Sequence, residues 1–203
     1  MPARLDFKRD LVPFLIATFG EFVALVLWLH YLDLGQSRTA NIALWIGFAV
    51  ERVAVAAWVR NVHGPSTGVA GGPLWSVGLF LIVITIAEVG IWDWWLRVSR
   101  GSGLGSGLLL LFALIHVLHS VEMGAVKRHN PLRYVVNPRT LTFSVMEAVG
   151  GTGWLWLYGL GRPVLGALVL LAGLTVEHLV QGGLLKPESA VPVTPPRPSP
   201  IPP

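Results

Sequence analysis

Six glutamates, Glu21, Glu51, Glu88, Glu122, Glu147 and Glu177, each lie near the middle of a long apolar run, and the one other glutamate, Glu188, sits in a Pro-rich tail. Carboxylates at bilayer depth are cation ligands, proton acceptors or members of ion pathways. Each costs about 2.5–3.5 kcal/mol on insertion scales, so six cost on the order of 15–20 kcal/mol, more than the ~5–15 kcal/mol net stability of a typical fold. They must therefore be protonated, paired, metal-bound or wetted by a cavity.

Three histidines join them. His116, His119 and Glu122 recur every three residues, so neighbours in the series lie on adjoining faces of one helix. Glu177 and His178 are consecutive and point about 100° apart on a helix. His30, His63 and His129 fall at a span end or in loops. Helical bundles hold metal pairs with Glu from two helices and Glu-x-x-His from two others. Here His-x-x-Glu occurs once and Glu-x-x-His is absent. The donor types suit iron, manganese or zinc. A haem between His116 or His119 and His178 is the second metal option, but it leaves six glutamates without a role. With no cysteine, thiolate ligands, disulfides and thiol catalysis are excluded. Arg52, the only basic residue inside a run, offsets one acid. Sequence neighbours face apart, so the expected partner lies across the bundle, at Glu21 or Glu88, and is not Glu51.

The elements that must position these groups are membrane helices. Of 203 residues, 53% are hydrophobic and only 13% charged, against about a quarter charged in soluble domains. Apolar runs of ~20 residues cross ~30 Å of hydrocarbon, and they are read at 11–32, 40–60, 76–97, 105–126, 140–160 and 163–185. Their polarity does not alternate every second residue, as β-barrel strands would. The expectation is an all-α integral membrane protein: a six-helix domain over 1–186, then a Pro-rich disordered cytoplasmic tail over 187–203. Arg4, Lys8 and Arg9 precede a first run without a small-residue cleavage site, which reads as a retained span. Asn61–Pro73 reads as an inner loop, Gly101–Gly107 as a flexible outer turn, and Lys127–Thr140 as the most basic loop. With both termini cytoplasmic, ten Lys and Arg residues fall inside and four outside, as the positive-inside rule requires. The net charge of +4 thus follows topology, and nucleic acid is not an expected partner. The expected place is the inner (plasma) membrane as a multi-pass protein, with the lipid bilayer as its partner and a homo-oligomer or a larger membrane complex as the assemblies to expect.

The chain also repeats. In odd-numbered spans Glu is followed seven residues on by Trp-Leu, at Trp28, Trp95 and Trp154. Even-numbered spans share Val-Glu, and the two glutamates of successive spans are 30, 34 and 30 residues apart. Three tandem hairpins, approximately 11–60, 76–126 and 140–185, with pseudo-three-fold symmetry are predicted. Parallel repeats of this kind place the site at their interface near the midplane. The outline is similar to that of the mitochondrial carriers, but no odd span here carries their Pro-x-Asp/Glu motif. Trp28, Trp95 and Trp154 lie on about the same helix face as their glutamates, ~10 Å along the axis. They form either an interfacial aromatic belt or a lid over an acidic chamber. Movement of a proton or divalent metal cation is the first functional reading. A metal- or haem-dependent oxidoreductase using the same ligands is the alternative, and a non-catalytic subunit of a membrane complex the third.

Overall fold

The computed structural model describes residues 7–63, 74–100 and 103–185. These form seven helices: α1 (Phe7–Asp33), α2 (Ser37–His63), α3 (Leu74–Ser99), α4 (Leu104–Lys127), α5 (Leu132–Val135), α6 (Pro138–Gly159) and α7 (Pro163–Leu185). No strand occurs among the described residues. α1, α2, α3, α4 and α7 are long and apolar enough to cross a membrane, as expected of a helical membrane protein. At 22 residues α6 also has the length. Its lower hydropathy comes from residues that it buries, including Thr140, Ser144, Glu147, Gly150, Gly151 and Thr152.

The six long helices pack as a closed ring in chain order, α1 to α2, α3, α4, α6, α7 and back to α1. Two tight turns build the ring. After α1, Gly35 (φ +73°) donates to Leu32 O and Gln36 to Tyr31 O. After α6, Gly161 (φ +73°) donates to Tyr158 O and Arg162 to Leu157 O. Both are Schellman closures, which favour glycine at the left-handed position. The Asp33–Arg100 ion pair (3.1 Å) places the end of α3 beside the first turn. This end of the bundle is called the turn end below.

The three helix pairs are not equivalent. α1 with α2 and α6 with α7 make the two most extensive contacts, whereas α4 packs more on α6 than on α3. The reason lies beside the glutamates. In the first pair Ala24, three residues after Glu21, meets Gly47, four before Glu51, so closely that a Cβ on Gly47 would overlap Ala24 Cβ. In the third pair Gly150 and Gly173 hold the same two offsets, and a Cβ on Gly173 would lie 2.8 Å from Gly150 Cα. Small residues let membrane helices approach closely. In α3 and α4 these offsets carry Ile91 and Leu118, which hold the helices apart.

Two apolar layers close the ring interior. Toward the turn end, Trp28, Trp92, Trp95 and Trp154 are at most 2% exposed and pack with Leu25, Leu29, Phe48, Leu111 and Leu170. Trp95 Nε1 donates to Gly107 O (2.8 Å). Trp28, Trp95 and Trp154 thus face inward, whereas Trp94 and Trp156, near 50% exposed, face outward as a belt would. Toward the other end Ala17, Val55, Val59, Met123, Tyr134 and Phe143 form the second layer. Beyond it the Trp58 ring covers Gly182, and Trp58 Nε1 donates to Asp10 Oδ1 (3.3 Å).

Three local readings are revised. α4 starts at Leu104, so most of the expected Gly101–Gly107 turn is its first helical turn. The basic stretch from Lys127 to Thr140 contains α5, and α6 begins inside it. There Asn137 caps α6, its Oδ1 accepting from Arg139 N (2.9 Å) and Thr140 N (3.3 Å), with Pro138 following. α2 continues to His63. The remainder of the expected inner loop and the tail from 187 to 203 lie outside the described residues.

Candidate metal centre

All six span glutamates converge inside the ring, and none is more than 4% exposed. Arg52, His119 and His178 are equally buried among them. The contacts obey one rule. Arg52 on α2 reaches Glu88 on α3 (2.5 Å) and Glu122 on α4 (2.6 Å). His119 on α4 reaches Glu147 on α6 (3.2 Å) and Glu177 on α7 (3.7 Å). His178 on α7 reaches Glu21 on α1 (3.9 Å) and Glu51 on α2 (3.7 Å). Each basic group therefore meets both glutamates of the next helix pair around the ring.

Local helical geometry explains this. Arg52 and His178 each follow their own helix's glutamate by one residue, which turns them about 100° toward the neighbouring pair. In α4 that position is Met123. His119, four residues earlier, occupies the same helix face and supplies the imidazole instead. His119 and Glu122, despite their spacing of three, thus meet different partners. Glu122 is held by Arg52.

Hydrogen bonds orient both imidazoles. His178 Nδ1 lies 3.0 Å from the Leu174 carbonyl oxygen, which can only accept, so Nδ1 carries the proton. Thr18 Oγ1 lies 3.3 Å from the same nitrogen. His178 Nε2, with its lone pair, then faces the acids and makes no hydrogen bond. His116 Nε2 lies 2.9 Å from Val135 O and donates to it. Its Nδ1 is 3.1 Å from Ser144 Oγ, and that oxygen is 3.0 Å from His119 Nδ1. Ser144 Oγ donates its one proton to Thr140 O (2.8 Å), so it accepts from His119 Nδ1, leaving the His119 Nε2 lone pair toward Glu147 and Glu177. A ligating histidine is oriented by such a bond at its other nitrogen.

Metal-capable donor groups result. His119, Glu147 and Glu177 bring their donor atoms within 4.8 Å of one another, as do Glu21, Glu177 and His178, and Glu21, Glu88 and Glu147. Glu21 Oε1, both Glu147 carboxylate oxygens and Glu177 Oε2 are buried without a hydrogen-bond partner. Buried polar atoms are rarely left so, and an ion is one accepted explanation. The donor chemistry fits a divalent transition metal, with imidazole nitrogen and carboxylate oxygen on each side.

The expected site residues are thus placed as follows. Glu21, Glu147, Glu177, His119 and His178 gather in imidazole-bearing groups, and Glu51 approaches His178. Glu88 and Glu122 are bonded to Arg52, whose Nε and Nη2 both donate to Glu88 Oε2. His116 stands behind His119 and turns away from the acids. One expectation is corrected: Arg52 Nε does lie 3.0 Å from adjacent Glu51 Oε2. Although the two side chains leave the helix about 100° apart, the long Arg stem brings Nε back toward its neighbour. Of its two expected distant partners, Glu88 is contacted.

Ser144 and Thr18 were not anticipated. Their signal was present, since a hydroxyl residue precedes the glutamate by three in each odd-numbered span, at Thr18, Thr85 and Ser144. Thr85 instead donates to its own helix at Leu81 O (2.8 Å). Comparison with family models, with curated proteins and with solved structures finds no match.

Proposed function

We propose that this protein is a six-span, pseudo-three-fold membrane protein that holds divalent transition-metal ions, iron, manganese or zinc, as a resident centre at mid-membrane. The observation that carries the reading is the pair of anchored imidazoles, each presenting Nε2 to two buried glutamates. The cyclic contact rule supports the three-fold repeat, with α6 as the fifth of six spans, while the excess of Lys and Arg in the inner segments supports termini on the cytoplasmic side of the inner membrane. When bound, the metal would supply Lewis-acid or one-electron chemistry. The chain's own part is to ligate through His119, His178, Glu21, Glu147 and Glu177, to set charge through Arg52, and to exclude water with the two apolar layers. A haem fits poorly, because carboxylate oxygens stand 3.2–3.9 Å from both Nε2 atoms where a porphyrin would have to lie.

Elemental analysis of protein purified in mild detergent tests this reading. At least near-stoichiometric metal is expected, reduced in His178→Ala. Stable wild-type protein that carries no metal and binds none on incubation with Mn²⁺ or Zn²⁺ overturns it.

A second reading, an occluded cation carrier, is favoured by one observation. A crevice of about 30 Å³ between α2, α3 and α4 reaches Arg52 and Glu122, beside the loosely packed α3–α4 pair. That space holds little more than a water, so passage requires α3 to move. Mn²⁺ or proton flux in liposomes, diminished in Glu88→Gln and Glu147→Gln, is the expected result of this reading. Absence of flux refutes it.

A further inference from the structure

The three basic groups occupy equivalent places in the ring, yet only two are imidazoles. The Arg52 guanidinium stands where a third ligand and its ion would be, with Glu88 and Glu122 already bonded to it. The two imidazole-bearing groups are not independent. Glu177 belongs to both: its Oε1 is 3.7 Å from His119 Nε2, and its Oε2 is buried without a partner. Glu21 of one group and Glu147 of the other also meet, through the group that they form with Glu88. With Glu51, whose Oε1 is 3.7 Å from His178 Nε2 and whose Oε2 is 3.0 Å from Arg52 Nε, four carboxylates and two imidazoles make one continuous shell: Glu21, Glu51, Glu147, Glu177, His119 and His178.

Resting on the metal-centre reading, we infer that the centre is dinuclear, with one divalent ion in each imidazole-bearing group, Glu177 bridging them, and Arg52 as a built-in cation in the third position. A donor set of four glutamates and two histidines is the set that bundle proteins use for paired iron or manganese. It is reached here with different spacing and from different helices. Charge points the same way. Two divalent ions and Arg52 supply five positive charges against six carboxylates, nearly neutral if the imidazoles are neutral. One ion with Arg52 would leave three carboxylate charges uncompensated in a buried, low-dielectric interior.

Paired ions in such sites sit about 3.5–4 Å apart, close enough for magnetic exchange. The test uses the full chain in detergent with Mn²⁺ as the probe, read by equilibrium binding and by electron paramagnetic resonance. Two ions per chain are expected, with an exchange-coupled signal in place of the six-line spectrum of isolated Mn²⁺. His119→Ala and His178→Ala should each retain at most one ion and show the uncoupled spectrum, and Glu177→Gln should abolish coupling. Saturation of wild-type protein at one ion, or two ions without coupling, overturns the dinuclear inference and leaves the metal-centre reading standing. No bound Mn²⁺ or Zn²⁺ at all overturns both. The wild-type measurement decides the matter even if a variant does not fold.

Discussion

Arg52→Met removes a buried cation, the one Lys or Arg buried among the described residues, and substitutes an apolar side chain. Arg52 contacts Glu51, Glu88 and Glu122 at 3.0, 2.5 and 2.6 Å, with every partner side chain at most 4% exposed. Removing one member of a buried ion pair costs about 3–5 kcal/mol, mainly because the other charge is left uncompensated. With two glutamates hydrogen-bonded to the guanidinium, the upper end of that range is expected. For a chain of this size each kcal/mol moves the melting temperature by roughly 2–4 °C, so metal-free Arg52→Met should melt roughly 10–20 °C below the parent. The assay is thermal unfolding in detergent, followed by circular dichroism. The double-mutant logic supplies the control: adding Glu88→Gln and Glu122→Gln should recover more than half of the loss, because coupled sites are not additive. An Arg52→Met protein within about 1 kcal/mol of the parent, or a triple variant no more stable than the single one, would refute the charge-compensation argument.

Four further outcomes are expected. Gly173→Ala should destabilise by about 1–3 kcal/mol, since its Cβ would lie 2.7 Å from Met146 O. Gly90→Ala, where nothing lies within 4 Å, should instead stabilise by about 0.5–1 kcal/mol. Denaturant unfolding of both variants checks the contrast. Asn137→Ala should cost about 1 kcal/mol by removing the α6 cap, measured in the same way. Arg128 ends α4 at φ 54°, so Arg128→Gly should raise stability by about 1 kcal/mol, visible as a higher unfolding midpoint.

The helices were legible because their length and apolarity are properties of local sequence. The first four helices run one to four residues past the expected spans at each end, α6 is shifted by one or two residues, and α7 has the expected bounds. The inequality of the three pairs was harder to see. It turns on single small residues, Gly47 and Gly173 against Leu118, whose importance appears only when a facing helix approaches. The short α5 was invisible, since its four residues form beside α4 with little helical signal of their own. Thr18 and Ser144 were overlooked because hydroxyl residues are ordinary in membrane helices. Only the imidazoles facing them reveal their use.

From the sequence alone come the six buried acids, their recurrence in register, the candidate imidazoles and the need to compensate the charge. Those follow from composition, spacing and the cost of desolvating carboxylates, none of which requires a fold. Only the tertiary structure decides which acid faces which base. The ring places the face that follows each even-numbered glutamate against the next helix pair. It thereby gives Glu88 and Glu122 to Arg52, gathers Glu21, Glu147 and Glu177 around His119 and His178, and sets Glu51 between Arg52 and His178. Spacing along one helix tells which residues share a face. It cannot tell what that face meets, because the partner is supplied by a different helix.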